Sequence, residues 1–270
     1  MNEVVLTPKE QPYVPIETST IKPDDFANKS IDEIKDLEVW YGNTSSKIGD
    51  FFDVEGESGP TPAETNILID GDVYNTKRIG QGMTDGKITV NGNVNMYVGA
   101  EMEGGIITVN GNADSWAGQD MRGGELIING NARDYVGSSY RGDWRGMTGG
   151  IITIKGNAQN EVAEYMLGGK LIIQGDVRHM PGVHMNGGLL VIEGNVISRP
   201  GGEMKNGTIV IKGIVSEFLP GFEYHGIEKD LNIQGESIKG SFYKFKGDFS
   251  EKGPDGTVYV AVAGNNHIVP

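Results

Sequence analysis

Histidine titrates nearest neutral pH and is the commonest metal ligand. This chain has four, His179, His184, His225 and His267. None stands in an HExxH or comparable ligand spacing, although His179 and His184 fall close together, beside Met180 and Met185. Cysteine is absent, which removes disulfides, thiolate zinc, iron–sulfur ligation and a thiol nucleophile from this chain. No serine occupies a Gly-x-Ser-x-Gly elbow. The many Gly-x-Gly pairs lack the strand–loop–helix context of a phosphate loop. Glu103, Asp114, Asp120 and Glu125 could line an acidic groove like that of sugar-cleaving β-helix enzymes, but acidic residues are scattered rather than columnar. Calcium-binding nonapeptides need a recurring aspartate where strand residues such as Leu126 stand here. No catalytic, cofactor-binding or metal residue is assigned.

One segment has the chemistry of an interface instead. Ser138-Ser-Tyr140-Arg141-Gly-Asp143-Trp144-Arg145-Gly146 is rich in aromatic and arginine side chains, the composition of interface anchors. Tyr140, Arg141, Asp143, Trp144 and Arg145 are the candidate partner-binding residues. The plain alternative is a tolerated surface loop.

These residues sit within a repeat. Between Gly80 and Gly213 the pattern Gly-x-x-Met-x-x-Gly-x-[Ile/Leu]-x-[Ile/Val]-x-Gly recurs seven times, ending at Gly92, Gly111, Gly130, Gly156, Gly175, Gly194 and Gly213. The ends are 19 residues apart except for one interval of 26, which holds the arginine-rich insertion. A fixed period near twenty predicts stacked coils. Pairs such as Leu126/Ile128 alternate at period two and predict a strand with one buried face. The Gly-Asn or Gly-Asp that follows predicts a corner with side-chain bonds along the stack. The methionine column, Met83, Met102, Met121, Met147, Met166, Met185 and Met204, is read as core filling rather than a metal or redox relay. A further column carries Tyr97, Trp116, Tyr135, Met180 and Phe218, interrupted by Glu161 and Arg199. Outward it would be a docking stripe; the inward, core reading is preferred.

The expected fold class is all-β: a right-handed parallel β-helix, or solenoid, of about eight or nine coils with a short mixed N-terminal arm. Residues 1–63 are the arm, with a helix from the capping box Ser30-Ile-Asp-Glu33 to about Leu37. Residues 64–236 are the repeat domain, closed at its far end by Leu231-Asn-Ile233-Gln-Gly235. Residues 237–270 are a cap with a strand at Thr257–Val262. The 42 glycines mark corners, and the net charge of -14 argues against nucleic acid and anionic membranes as partners. The N-terminus lacks a signal-peptide pattern and no apolar run reaches membrane length, so a cytoplasmic setting is expected.

Written as [Gly/Trp]-x-x-Met-x-x-Gly-x-[Ile/Leu]-x-[Ile/Val]-x-Gly, with a fourth copy starting at Trp144 and a fifth at Ala163, the repeat resembles the C subunit of formylmethanofuran dehydrogenase. The stretch from Phe26 through Lys35 to Trp40 and Ile48–Phe52 resembles that family too. It separates the chain from the β-helices of glutamate synthase and of the methylotroph formyltransferase/hydrolase complex, which the repeat alone would also fit. The resemblance implies a non-catalytic scaffold in a complex that reduces CO2 and condenses it with methanofuran in methanogenesis. It implies catalytic sister subunits, one holding a tungsten- or molybdenum-pterin and one amidohydrolase-like with a dinuclear metal site, fed by iron–sulfur proteins with their clusters. The rival expectation is a stand-alone β-helix enzyme or binding module acting on polysaccharide.

Overall fold

A computed structural model describes residues 2–269, mostly β with a few short helices. One open thirteen-stranded sheet dominates. Its middle is built from the repeat: Lys87–Val90, Ile106–Val109, Glu125–Ile128, Ile151–Ile154, Lys170–Ile173, Asn186–Ile192 and Asn206–Ile211 follow one another in sheet order. They pair in parallel, with Ile88 opposite Ile107, then Leu126, Ile152, Leu171, Leu190 and Ile209. Each lap of chain therefore adds one strand, and alternation sends Leu126 and Ile128 into the core while Ile127 stays half-exposed on the outer face.

The constant spacing of Met and Gly within the unit has a packing cause. All seven methionines are fully buried. A Cβ on Gly105 would fall 2.5 Å from Met83 Cε, and the same holds at 2.7 Å for Gly124 with Met102 and Gly169 with Met147. Each thioether thus fills the space that a glycine of the following lap leaves open. At the corners, Asn112 Oδ1 accepts from the backbone N–H of Asn131 at 2.8 Å, and Asn131 Oδ1 accepts from that of Asn157 at 2.8 Å. The predicted amide ladder runs from Asp72 to Ile214.

The returning leg is different. Alternate residues take positive φ: Tyr97 (66°), Gly99 (64°) and Glu101 (56°) in one lap, Trp116 (60°), Gly118 (65°) and Asp120 (51°) in the next. Left-handed residues interrupt ordinary strand geometry, so in the earlier laps the leg is tied by single bridges such as Val94 to Ala113. Later laps form a three-stranded sheet, Val177–His179, Val196–Ser198 and Val215–Glu217.

Both ends close the stack. Strand Asn2–Pro8 pairs in parallel with Thr65–Ile69 and antiparallel with Phe52–Gly56, the edge strand. Helix Ile31–Lys35 carries the predicted capping box. At the other end, Leu231–Gly235 does not form a last parallel strand. Gln234 and Gly235, both at positive φ, make a two-residue turn that joins Glu223–Ile233 to Glu236–Gly247 as an antiparallel hairpin. The parallel position goes to Gly256–Ala261, beside Asn206–Ile211. The hairpin places Leu231, Ile238 and Phe242 against the outer-face residues Leu189, Val191 and Val210.

Candidate functional site

The inserted residues leave and rejoin the stack at one point. Ser138 is fully buried, and its hydroxyl donates to the Glu161 carbonyl at 2.7 Å while accepting from the Glu164 N–H at 3.1 Å. The Ser139 N–H donates to the Glu164 carbonyl at 3.3 Å, and the Gly146 N–H to the Tyr165 carbonyl at 3.0 Å. A Cβ on Gly146 would meet the Glu164 carbonyl oxygen at 2.6 Å and Ser139 N at 3.0 Å, so the two roots of the bulge lie side by side. In other laps the Met N–H bonds the glycine carbonyl three residues earlier, as Met121 does with Gly118; here Met147 reaches across the insertion to Gly137 at 3.1 Å. Gly137, with φ of 67°, therefore holds the place that the spacing assigned to Trp144.

Trp144 is freed for the surface, where it is 74% exposed, beside Tyr140 at 50%. Asp143 organises the tip by accepting from the Trp144 N–H at 2.7 Å, and it lies 3.7 Å from Arg145. Arg141 turns back over the ring of Trp116, 5.7 Å from its centroid, a cation–π arrangement. Of the five expected interface residues, Tyr140, Arg141, Asp143 and Trp144 line one cleft, while Arg145 faces another with Asp120 and Arg122.

The aromatic column runs beneath. Tyr97, Trp116 and Tyr135 stack at centroid separations of 5.4 and 4.8 Å, with Arg78 capping Tyr97 at 4.6 Å. These rings are half-exposed, which corrects the core reading. Their left-handed backbone turns the side chain out of the packed interior, whose places on this leg belong to Val98, Ala117 and Val136. The pattern of sequence spacing is blind to that change of backbone hand. Phe218, further along, packs on Phe222 and Phe245 at the C-terminal end.

A cleft of about 310 Å³ opens between the bulge and the next lap, lined by Tyr135, Tyr140, Trp144, Glu161, Glu164 and Tyr165 with Arg141. Burial, reinforced by Glu161, pushes the Glu164 carboxyl up to about 7 against the pull of Arg141. On the opposite flank, burial raises Asp120, whose Oδ1 is buried without a hydrogen-bond partner among the described residues. Sequence reasoning passed over Glu161, Glu164 and Tyr165 as functional residues. Their only signal was their position one lap after the insertion. Among the described residues, no group of three or more His, Asp or Glu gathers as a metal site, and no helix is long and apolar enough to cross a membrane.

No family model matches the chain. The C subunit of the tungsten-containing formylmethanofuran dehydrogenase 2 of Methanothermobacter thermautotrophicus is 74% identical over 270 residues, covering 100% of both chains. The protein of the same name from Methanococcus maripaludis strain S2 is 56% identical over 275 residues, again covering 100% of both. A solved formyltransferase/hydrolase complex from Methylorubrum extorquens, in complex with methylofuran, contains a chain of similar fold. Its TM-score is 0.84 and its identity 22%, covering 96% of this chain and 99% of that one.

Proposed function

This chain belongs to the family of formylmethanofuran dehydrogenase C subunits, and from that premise we propose that it is the tungsten form's non-catalytic scaffold. It is one component of a multi-subunit oxidoreductase complex of methanogenesis. In the proposed role its laps wind as a right-handed parallel β-helix. Residues 64–236 are the body, 1–63 the arm that covers one end, and 237–270 the cap. The body docks a tungsten-pterin subunit that makes formate from CO2 and an amidohydrolase-like subunit, with a dinuclear metal site, that condenses formate with methanofuran. Iron–sulfur proteins feed the first of these, and the assembly works in the cytoplasm. Holding two active sites at a fixed separation favours transfer of an intermediate between them.

The observation that carries the docking role is the bulge. Its roots are fastened to the neighbouring lap, and its tip presents Tyr140, Arg141, Asp143, Trp144 and Arg145. Anchored aromatic and arginine side chains that need little further ordering make efficient contact residues. A tagged chain recovered from its native host tests this directly. It should co-purify with large partners carrying tungsten and iron, whereas lyase or hydrolase activity from the isolated chain would overturn the scaffold role.

A further inference from the structure

The cleft under the bulge has more chemistry than a contact patch requires. Four aromatic rings, Tyr135, Tyr140, Trp144 and Tyr165, wall it, and Glu161 and Glu164 supply charge. The ion pairs among the described residues involve neither carboxylate. The one cation present, Arg141, lies over the Trp116 ring and interacts with both carboxylates at once. That leaves the site one negative charge in excess. Desolvated carboxylates beside open π faces complement an incoming cation. A guanidinium suits both features, because it stacks flat on rings and forks onto carboxylate oxygens, while an ammonium ion does neither so well.

We propose that this cleft is the receptor for an arginine side chain of a partner chain, stacked against the aromatic walls and paired with Glu161 and Glu164. Tyr140 and Trp144 form its mouth and are exposed without the partner. The inference rests on the docking role and names the chemistry by which that role is carried out. The charged and titratable groups that face Glu164 are Glu161, Arg141, Tyr135 and Tyr165. An arriving guanidinium favours the ionised carboxylate, so binding strengthens as pH rises through about 7.

The full chain, titrated with N-acetyl-L-argininamide and followed by tryptophan fluorescence, tests the site. Saturable binding at pH 8 is expected, weaker at pH 5.5, and roughly tenfold weaker in the Glu161→Gln/Glu164→Gln double variant. Because these changes are isosteric and remove repelling charges, the variant should keep its circular dichroism and melting behaviour. A response that does not saturate, or that is equal in the variant, overturns the proposal, as does equal binding of N-acetyl-L-lysinamide. In the reconstituted complex the double variant should weaken assembly as deletion of the bulge does. If only the deletion weakens it, the arginine site is wrong and the docking role stands. If neither does, both fall.

Discussion

Gly118 and Gly142 both have positive φ, 65° and 88°, yet alanine should affect them differently. At Gly118 a Cβ runs into Ile152 Cδ1, while at Gly142 it meets open space. Gly118→Ala combines left-handed strain with overpacking and should destabilise by about 2–4 kcal/mol. Gly142→Ala should be limited to strain of about 1–2 kcal/mol, a contrast that chemical denaturation can measure. Met121→Asp, placed in a column with no exposure, should destabilise by several kcal/mol, of order 3 or more, through an unpaired buried charge. Glu164 gives a pH signature. Its folded-state value of about 7 lies above the ordinary 4.5, so the fold binds the proton more tightly than the unfolded chain does. Stability from this group is full below about 4.5 and is lost as pH rises to about 7. Glu164→Gln should therefore raise the melting temperature at pH 8 and leave it nearly unchanged at pH 4. The methionines were legible from the sequence because their spacing repeats with the strands. Tyr97, Trp116 and Tyr135 were not, because the same spacing serves an inward or an outward side chain and only the left-handed backbone decides between them.

Among the elements, the bulge makes the sharpest prediction. Its roots already touch, and Gly137-Ser138 followed by Gly146-Met147 reproduces the ordinary Gly-x-x-Met spacing. Deleting Ser139 through Arg145 should then leave the melting temperature within a few degrees, since the residues removed are mostly exposed. Assembly with sister subunits, read by gel filtration of the reconstituted complex, should weaken. The position of this insertion was visible as a break in the period. The hairpin at Gln234-Gly235 was not, because a strand ending in glycine looks the same whether the chain turns a corner or reverses. Asn2–Pro8 was missed for a different reason: it joins Thr65–Ile69 across the length of the whole arm, and no local pattern records such a pairing.

At the scale of the whole molecule, the arm and the hairpin manage the two ends of an open sheet. Removing residues 2–8 would strip Val4 and Leu6, both fully buried, and bare the backbone of Thr65–Ile69. Exposed strand edges invite pairing between copies, so the truncated chain should scatter light at concentrations where the intact chain does not. Between those ends the in-register stack has a consequence for how such a molecule can change length. Strands stand about 4.8 Å apart, so anything fastened near Arg78 is about 29 Å from its counterpart near Arg199, six laps on. Adding or losing one complete lap would move the far half by a single step of about 4.8 Å while keeping every side chain on its own face. An insertion of any other size must bulge outward, as the one after Gly137 does. Distance along this protein is thus quantised, and the spacing of whatever it carries can be reset only in whole laps.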